Sequence, residues 1–149
     1  MCPVCIASTA AMVAGVSPMA ETGFTEDADV VVVAFGTQGR YVRAAVTQMR
    51  AEGQRVGYVR PITLFPFPTE AVAEAADGAR AVAVYENNQG QMIEDVRLAV
   101  LGRAPVHFIG GLSLDGSGFG IAPDLDVATI RFRIEQVLAD LDVHAGGVR

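Results

Sequence analysis

Two cysteines close to the start of the chain are the first residues whose spacing could support chemistry. Cys2 and Cys5 form a Cys-Pro-Val-Cys motif. Such a pair exchanges thiol and disulfide when it opens a helix after a strand, and it supplies two of the four ligands of a closed zinc or iron–sulfur site. No strand pattern precedes this pair, and the chain contains no other cysteine. A redox or metal role for Cys2 and Cys5, including one shared with a second chain, therefore stays open.

A second candidate site consists of polar or turn-forming residues that each follow a predicted strand. They are Thr37, Gln38, Arg60, Pro61, Glu86, Asn88, Gly90 and Gln91. The carboxyl ends of parallel strands meet at one edge of a sheet, and ligands gather there. A helix that begins at Gly90 or Gln91 would also present free N–H groups to an anion or to a partner's carbonyl. We therefore predict a binding or interface site at this edge.

Structural roles explain the same residues as well. Arg60 could pair with Glu86, because the loops at the carboxyl ends of such a sheet are adjacent. Asn88 is an ordinary turn former, and Gly90 with Gln91 could simply start a helix. Both interpretations stay open at the level of the sequence.

The remaining reactive side chains form no catalytic or metal-binding pattern. His107 and His144 are isolated from each other and have no acidic residue next to them. The Gly-Ser-Gly run at residues 116–118 lacks the Gly-x-Ser-x-Gly spacing of a nucleophile elbow. We therefore predict no catalytic residue and no metal site in this chain.

Composition limits the class of partner. The 149 residues carry 17 acidic and 11 basic side chains, for a net charge of −6, and every base is an arginine. The chain has no basic stripe for nucleic acid and no lysine for a phosphate-binding P-loop. No run reaches the ~18 to 20 apolar residues that span a bilayer. We expect a cytoplasmic protein that binds neither nucleic acid nor membrane.

Short apolar runs rich in β-branched residues alternate with segments of helical periodicity. The predicted strands are residues 30–35, 56–59, 81–85 and 106–109. The predicted helices are residues 40–52, residues 69–77 with Thr69 as N-cap, a segment from Gly90 or Gln91 to Gly102, and a last helix capped by Asp124 or Asp126. Residues 36–39 and 110–123 are predicted loops, and three prolines stiffen residues 60–68. The alternation predicts a three-layer α/β/α domain with a mainly parallel sheet.

The chain has the length of one domain. We divide it into a leader of unknown structure (residues 1–28), an α/β domain (29–143) and a tail (144–149).

Two long motifs at a characteristic separation carry a family resemblance. The run RPITLFPFP at residues 60–68 and the run ENNQGQMIEDVRLAV at residues 86–100 closely resemble the C-terminal domain of the α subunit of 2-oxoacid:ferredoxin oxidoreductases. That domain is of the transketolase C-terminal type, so the resemblance implies the same fold and one further antiparallel strand. Glu86, Asn88, Gly90 and Gln91 coincide with the family's E-x-N-x-G-Q run.

The resemblance also implies a role within a complex. The family converts a 2-oxoacid to an acyl-coenzyme A with thiamine diphosphate, iron–sulfur clusters and coenzyme A, which other domains hold. Expected partners are pyrimidine-binding, pyrophosphate-binding and ferredoxin-like subunits, and the chain could also form a homodimer. It would be a non-catalytic structural or interface subunit that binds no cofactor alone. Two alternatives stay open: a free-standing regulatory module that binds an anion or nucleotide, and a small redox protein that uses Cys2 and Cys5.

Overall fold

The computed structural model describes Gly15 and residues 17–111, 113–114, 120–121 and 125–146. Its strands are β1 (Ala20–Gly23), β2 (Val30–Val33), β3 (Val56–Pro61), β4 (Ala81–Val84), β5 (Val106–Phe108), β6 (Ser113–Leu114) and β7 (Gly120–Ile121). Its helices are α1 (Gly36–Ala51), α2 (Thr69–Ala76), α3 (Met92–Val100) and α4 (Val127–Gly146). Among the residues described, no helix is long and apolar enough to cross a bilayer.

Five strands form the central sheet in the order β1-β3-β2-β4-β5. Strands β2 to β5 run parallel, whereas β1 runs antiparallel to β3 and pairs Glu21 with Arg60. Strand β1 is the antiparallel strand that the resemblance implied. It lies inside the segment that we assigned to the leader, so the sheet begins before residue 29.

Helices cover both faces of the sheet. One face packs against α1 and α4 through alternate strand residues such as Val30 and Val32, and the other face packs against α2 and α3 through Val31 and Val33. All four residues of β2 are buried, which explains their uninterrupted run of valines, because a parallel strand covered on both faces has no polar side. The predicted three-layer α/β/α fold is confirmed.

Several predicted boundaries were wrong for local reasons. The loop predicted at residues 36–39 is the first turn of α1, which the Gly39 N–H closes by donating to the Phe35 carbonyl over 3.0 Å. Strand β3 runs on through Arg60 and Pro61 because β1 pairs with both. Pro68, not Thr69, occupies the N-cap position of α2, and its side chain forms no capping hydrogen bond.

The end of the chain also differs in part from the prediction. The glycine-rich segment contains a short antiparallel pair, β6 with β7, where we predicted only a loop. Asp126 caps α4, since its Oδ1 accepts the Thr129 N–H over 2.8 Å; Asp124 lies outside the described residues. Helix α4 continues to Gly146, into the segment predicted as a tail.

Candidate functional site

The carboxyl ends of β2, β3 and β4 form one edge of the sheet, as predicted. Val33 pairs with Val59 on one side and with Val84 on the other, so the segments that follow the three strands begin side by side. After β2 the chain enters α1 on one face, and after β4 it enters α3 on the opposite face. The gap between β2 and β4 is therefore a topological switch point, where open α/β sheets bind ligands.

Glu86 lies two residues after β4, beside this switch point. It is the one buried charged residue among those described, with 1% of its surface exposed. Its Oε1 accepts the Met92 N–H over 2.8 Å, and its Oε2 accepts the Ile93 N–H over 3.1 Å. A buried carboxylate is tolerated only with such partners, and the positive end of a helix suits it. Glu86 thus caps α3 from the preceding loop.

The N–H groups that we predicted to be free at this helix are already used. Met92 and Ile93 donate to Glu86, and the Glu94 N–H donates to the Gln91 carbonyl over 3.3 Å. The prediction of an open anion-binding helix end was therefore wrong for α3, because the protein supplies its own anion.

Asn88 holds the loop around Glu86. Its Oδ1 accepts the Gly90 N–H over 2.7 Å, and its Nδ2 donates to Glu86 Oε1 over 3.2 Å. Gly90 has a φ of +92°, a conformation that side chains other than glycine rarely adopt. The turn-forming interpretation of Asn88 agrees with these bonds. Gly90, which we interpreted as a helix start, lies in the turn instead, and α3 begins at Met92 with the exposed Gln91 as its N-cap.

The loop after β5 locks the backbone of Glu86, which sequence reasoning missed. The Gly111 N–H donates to the Glu86 carbonyl over 2.9 Å. A Cβ at Gly110 would lie 2.0 Å from the Glu86 carbonyl oxygen, so only glycine fits there. The glycine pair directly after a strand was the available signal for this close approach.

Arg60 pairs with Glu21 rather than with Glu86. Arg60 Nη1 donates to Glu21 Oε2 over 3.1 Å, while Arg43 Nη1 and the Tyr58 hydroxyl each donate to Oε1 over 2.9 Å. These donors, the Arg43 hydrogen bond foremost, lower the pKa of Glu21 to about 2. The predicted Arg60–Glu86 pair was wrong because Glu21 sits on β1, directly opposite Arg60.

The remaining candidate residues are distributed as follows. Thr37 is exposed and Gln38 half-buried in the first turn of α1, and Pro61 is buried. A Cβ on Gly39 would lie 2.7 Å from Arg60 Cγ, so this turn packs tightly against β3. Cys2 and Cys5 lie outside the described residues. Within the described ranges, no three His, Cys, Asp or Glu side chains are grouped to hold a metal ion.

A separate groove of about 500 Å³ lies between β5 and α4. Its lining includes His107, Phe108, Phe132, Arg133 and Gln136, and no predicted site residue belongs to it. His107 Nε2 is buried there, and none of the described residues forms a hydrogen bond with it.

The fold and the site define a doubly wound α/β domain of the transketolase C-terminal type, in which a buried carboxylate caps the helix that follows β4. Residues 28–120 match the family described as pyruvate:ferredoxin oxidoreductase core domain II. The chain belongs to this family, and the resemblance noted in the sequence is confirmed.

Individual relatives agree with this assignment. Ketoisovalerate oxidoreductase subunit VorB of Methanothermobacter thermautotrophicus is 48% identical over 79 residues, which cover 53% of this chain and 22% of that protein. A solved 2-oxoglutarate:ferredoxin oxidoreductase from Magnetococcus marinus has a TM-score of 0.64 at 24% identity, over 83% of this chain and 20% of its own. A split-gene transketolase has a TM-score of 0.60 at 22% identity, over 76% of this chain and 39% of its own. Both structural matches show the fold alone.

The matched region is a small part of these oxidoreductases. The chain spans about a fifth of the length of the ketoisovalerate and 2-oxoglutarate oxidoreductase chains.

Proposed function

We propose that this chain is a non-catalytic interface domain of a thiamine-diphosphate-dependent 2-oxoacid:ferredoxin oxidoreductase. The complex as a whole would oxidise a 2-oxoacid to an acyl-coenzyme A in the cytoplasm. Pyrimidine-binding, pyrophosphate-binding and ferredoxin-like subunits would hold the thiamine diphosphate, the iron–sulfur clusters and the coenzyme A site. This chain would brace them through the carboxyl edge of its sheet.

The capping of α3 by Glu86 is the observation that carries the proposal. In this fold class a small ligand would bind where the helix N–H groups of α3 lie, but the Glu86 carboxylate accepts two of them. A nucleotide or anion would have to displace a buried and fully bonded side chain. The edge therefore favours a polypeptide over a regulatory anion.

The side chains exposed at this edge suit a protein contact. Thr37, Gln89 and Gln91 are exposed and uncharged. Hydroxyl and amide groups form hydrogen bonds across an interface without the desolvation cost of a buried charge. The relatives name both ketoisovalerate and 2-oxoglutarate, so the proposal extends only to a 2-oxoacid.

Affinity capture of the full chain from its own cells tests the proposal. We expect mass spectrometry to identify thiamine-binding oxidoreductase subunits in the captured material, with 2-oxoacid-dependent dye reduction in the same fraction. Recovery of the chain without any such subunit would contradict the proposal.

A substitution that introduces a charge at the carboxyl edge of the sheet tests whether this edge is the contact surface. We expect Thr37→Glu to weaken capture at least tenfold, because the new carboxylate would be buried against the partner. The substitution lies in the first turn of α1, where an acid favours the helix dipole, so the fold should persist. Ala51→Glu is the matched control. It is exposed at the opposite end of the same helix, roughly 20 Å away at 1.5 Å per residue, and should leave capture unchanged.

A further inference from the structure

We draw no further inference here: the strongest candidate, the groove of about 500 Å³ between β5 and α4 whose lining includes His107, Phe108 and Phe132, carries none because nothing among the described residues shows what would occupy it.

Discussion

Replacement of Glu86 should destabilise the domain far more than replacement of an exposed acid on the helix that it caps. In Glu86→Ala the N–H groups of Met92 and Ile93 lose the two carboxylate oxygens that they now bond at 2.8 and 3.1 Å. Asn88 Nδ2 loses its acceptor as well. Each buried donor left unsatisfied costs about 1 to 3 kcal/mol, so we expect a total loss of about 3 to 5 kcal/mol.

Glu86→Gln gives an intermediate case. Its single carbonyl oxygen can accept one of the two backbone N–H groups, while its amide nitrogen faces the other. We expect a loss of about 2 kcal/mol, together with a weaker interaction with the helix dipole. Asp95→Asn is the control, since Asp95 is an exposed acid in the first turn of α3 and should cost less than about 1 kcal/mol.

Urea unfolding followed by circular dichroism measures these differences as shifts of the midpoint at constant slope. A double variant, Glu86→Ala with Asn88→Ala, should cost clearly less than the sum of the two single changes, because both remove the same hydrogen bond. If Glu86→Ala cost no more than Asp95→Asn, the carboxylate would not be capping α3, and the argument that α3 offers no free anion site would fail.

Two further predictions concern the residues that support the site. Gly110→Ala should cost more than about 3 kcal/mol in urea unfolding, because its Cβ would lie 2.0 Å from the Glu86 carbonyl oxygen. Gly53→Ala, with φ at +88° but open space around it, should cost only about 1 kcal/mol. The pKa of Glu21 is lowered in the folded state to about 2, so the stability it contributes is present above its ordinary value of 4.5 and is lost as pH falls towards 2. Because Glu21 is partly exposed and solvent screens its interactions, we expect it to contribute about 1 to 2 kcal/mol to the free energy of unfolding at pH 7. The difference in the free energy of unfolding between wild type and Glu21→Gln should therefore shrink below pH 4.5. The same difference for exposed Glu26→Gln should show no such trend. If the difference for Glu21→Gln stayed constant with pH, the hydrogen bonds that Arg43, Tyr58 and Arg60 donate to Glu21 would not stabilise the fold.

The central strands and the helices could be predicted because their signals are local. A run of valines such as residues 30–33 has few alternatives to a strand buried on both faces. Gly53, the residue after the C-cap of α1, has the left-handed φ that favours glycine at the end of a helix, which is a signal local to the sequence. The family motifs added the fold type and the order of elements.

Strand β1 could not be predicted from its own residues. The sequence Ala-Glu-Thr-Gly has no fully buried residue: three of its residues are partly buried and one is exposed. It forms a strand because β3 offers an open edge, which is a tertiary effect. Because β1 was assigned to the leader, Glu21 was not considered as a partner of Arg60, and Glu86 was considered instead.

The partners of Glu86 were missed for a different reason. Sequence reasoning matched it with a charged side chain, whereas the structure satisfies it with two backbone N–H groups and an amide. Residue types do not reveal which backbone N–H groups donate to a side chain. Only the position of Glu86 between a strand and a helix could have indicated these donors.

Size-exclusion chromatography of an undisrupted cell extract tests the central claim most directly. The fractions would be assayed for this chain with an antibody and for 2-oxoacid- and coenzyme-A-dependent reduction of a viologen dye. We predict that the chain elutes with the oxidoreductase activity at the size of a multi-subunit complex. Elution of all of the chain near its own mass of 15.6 kDa, apart from that activity, would contradict the proposed function.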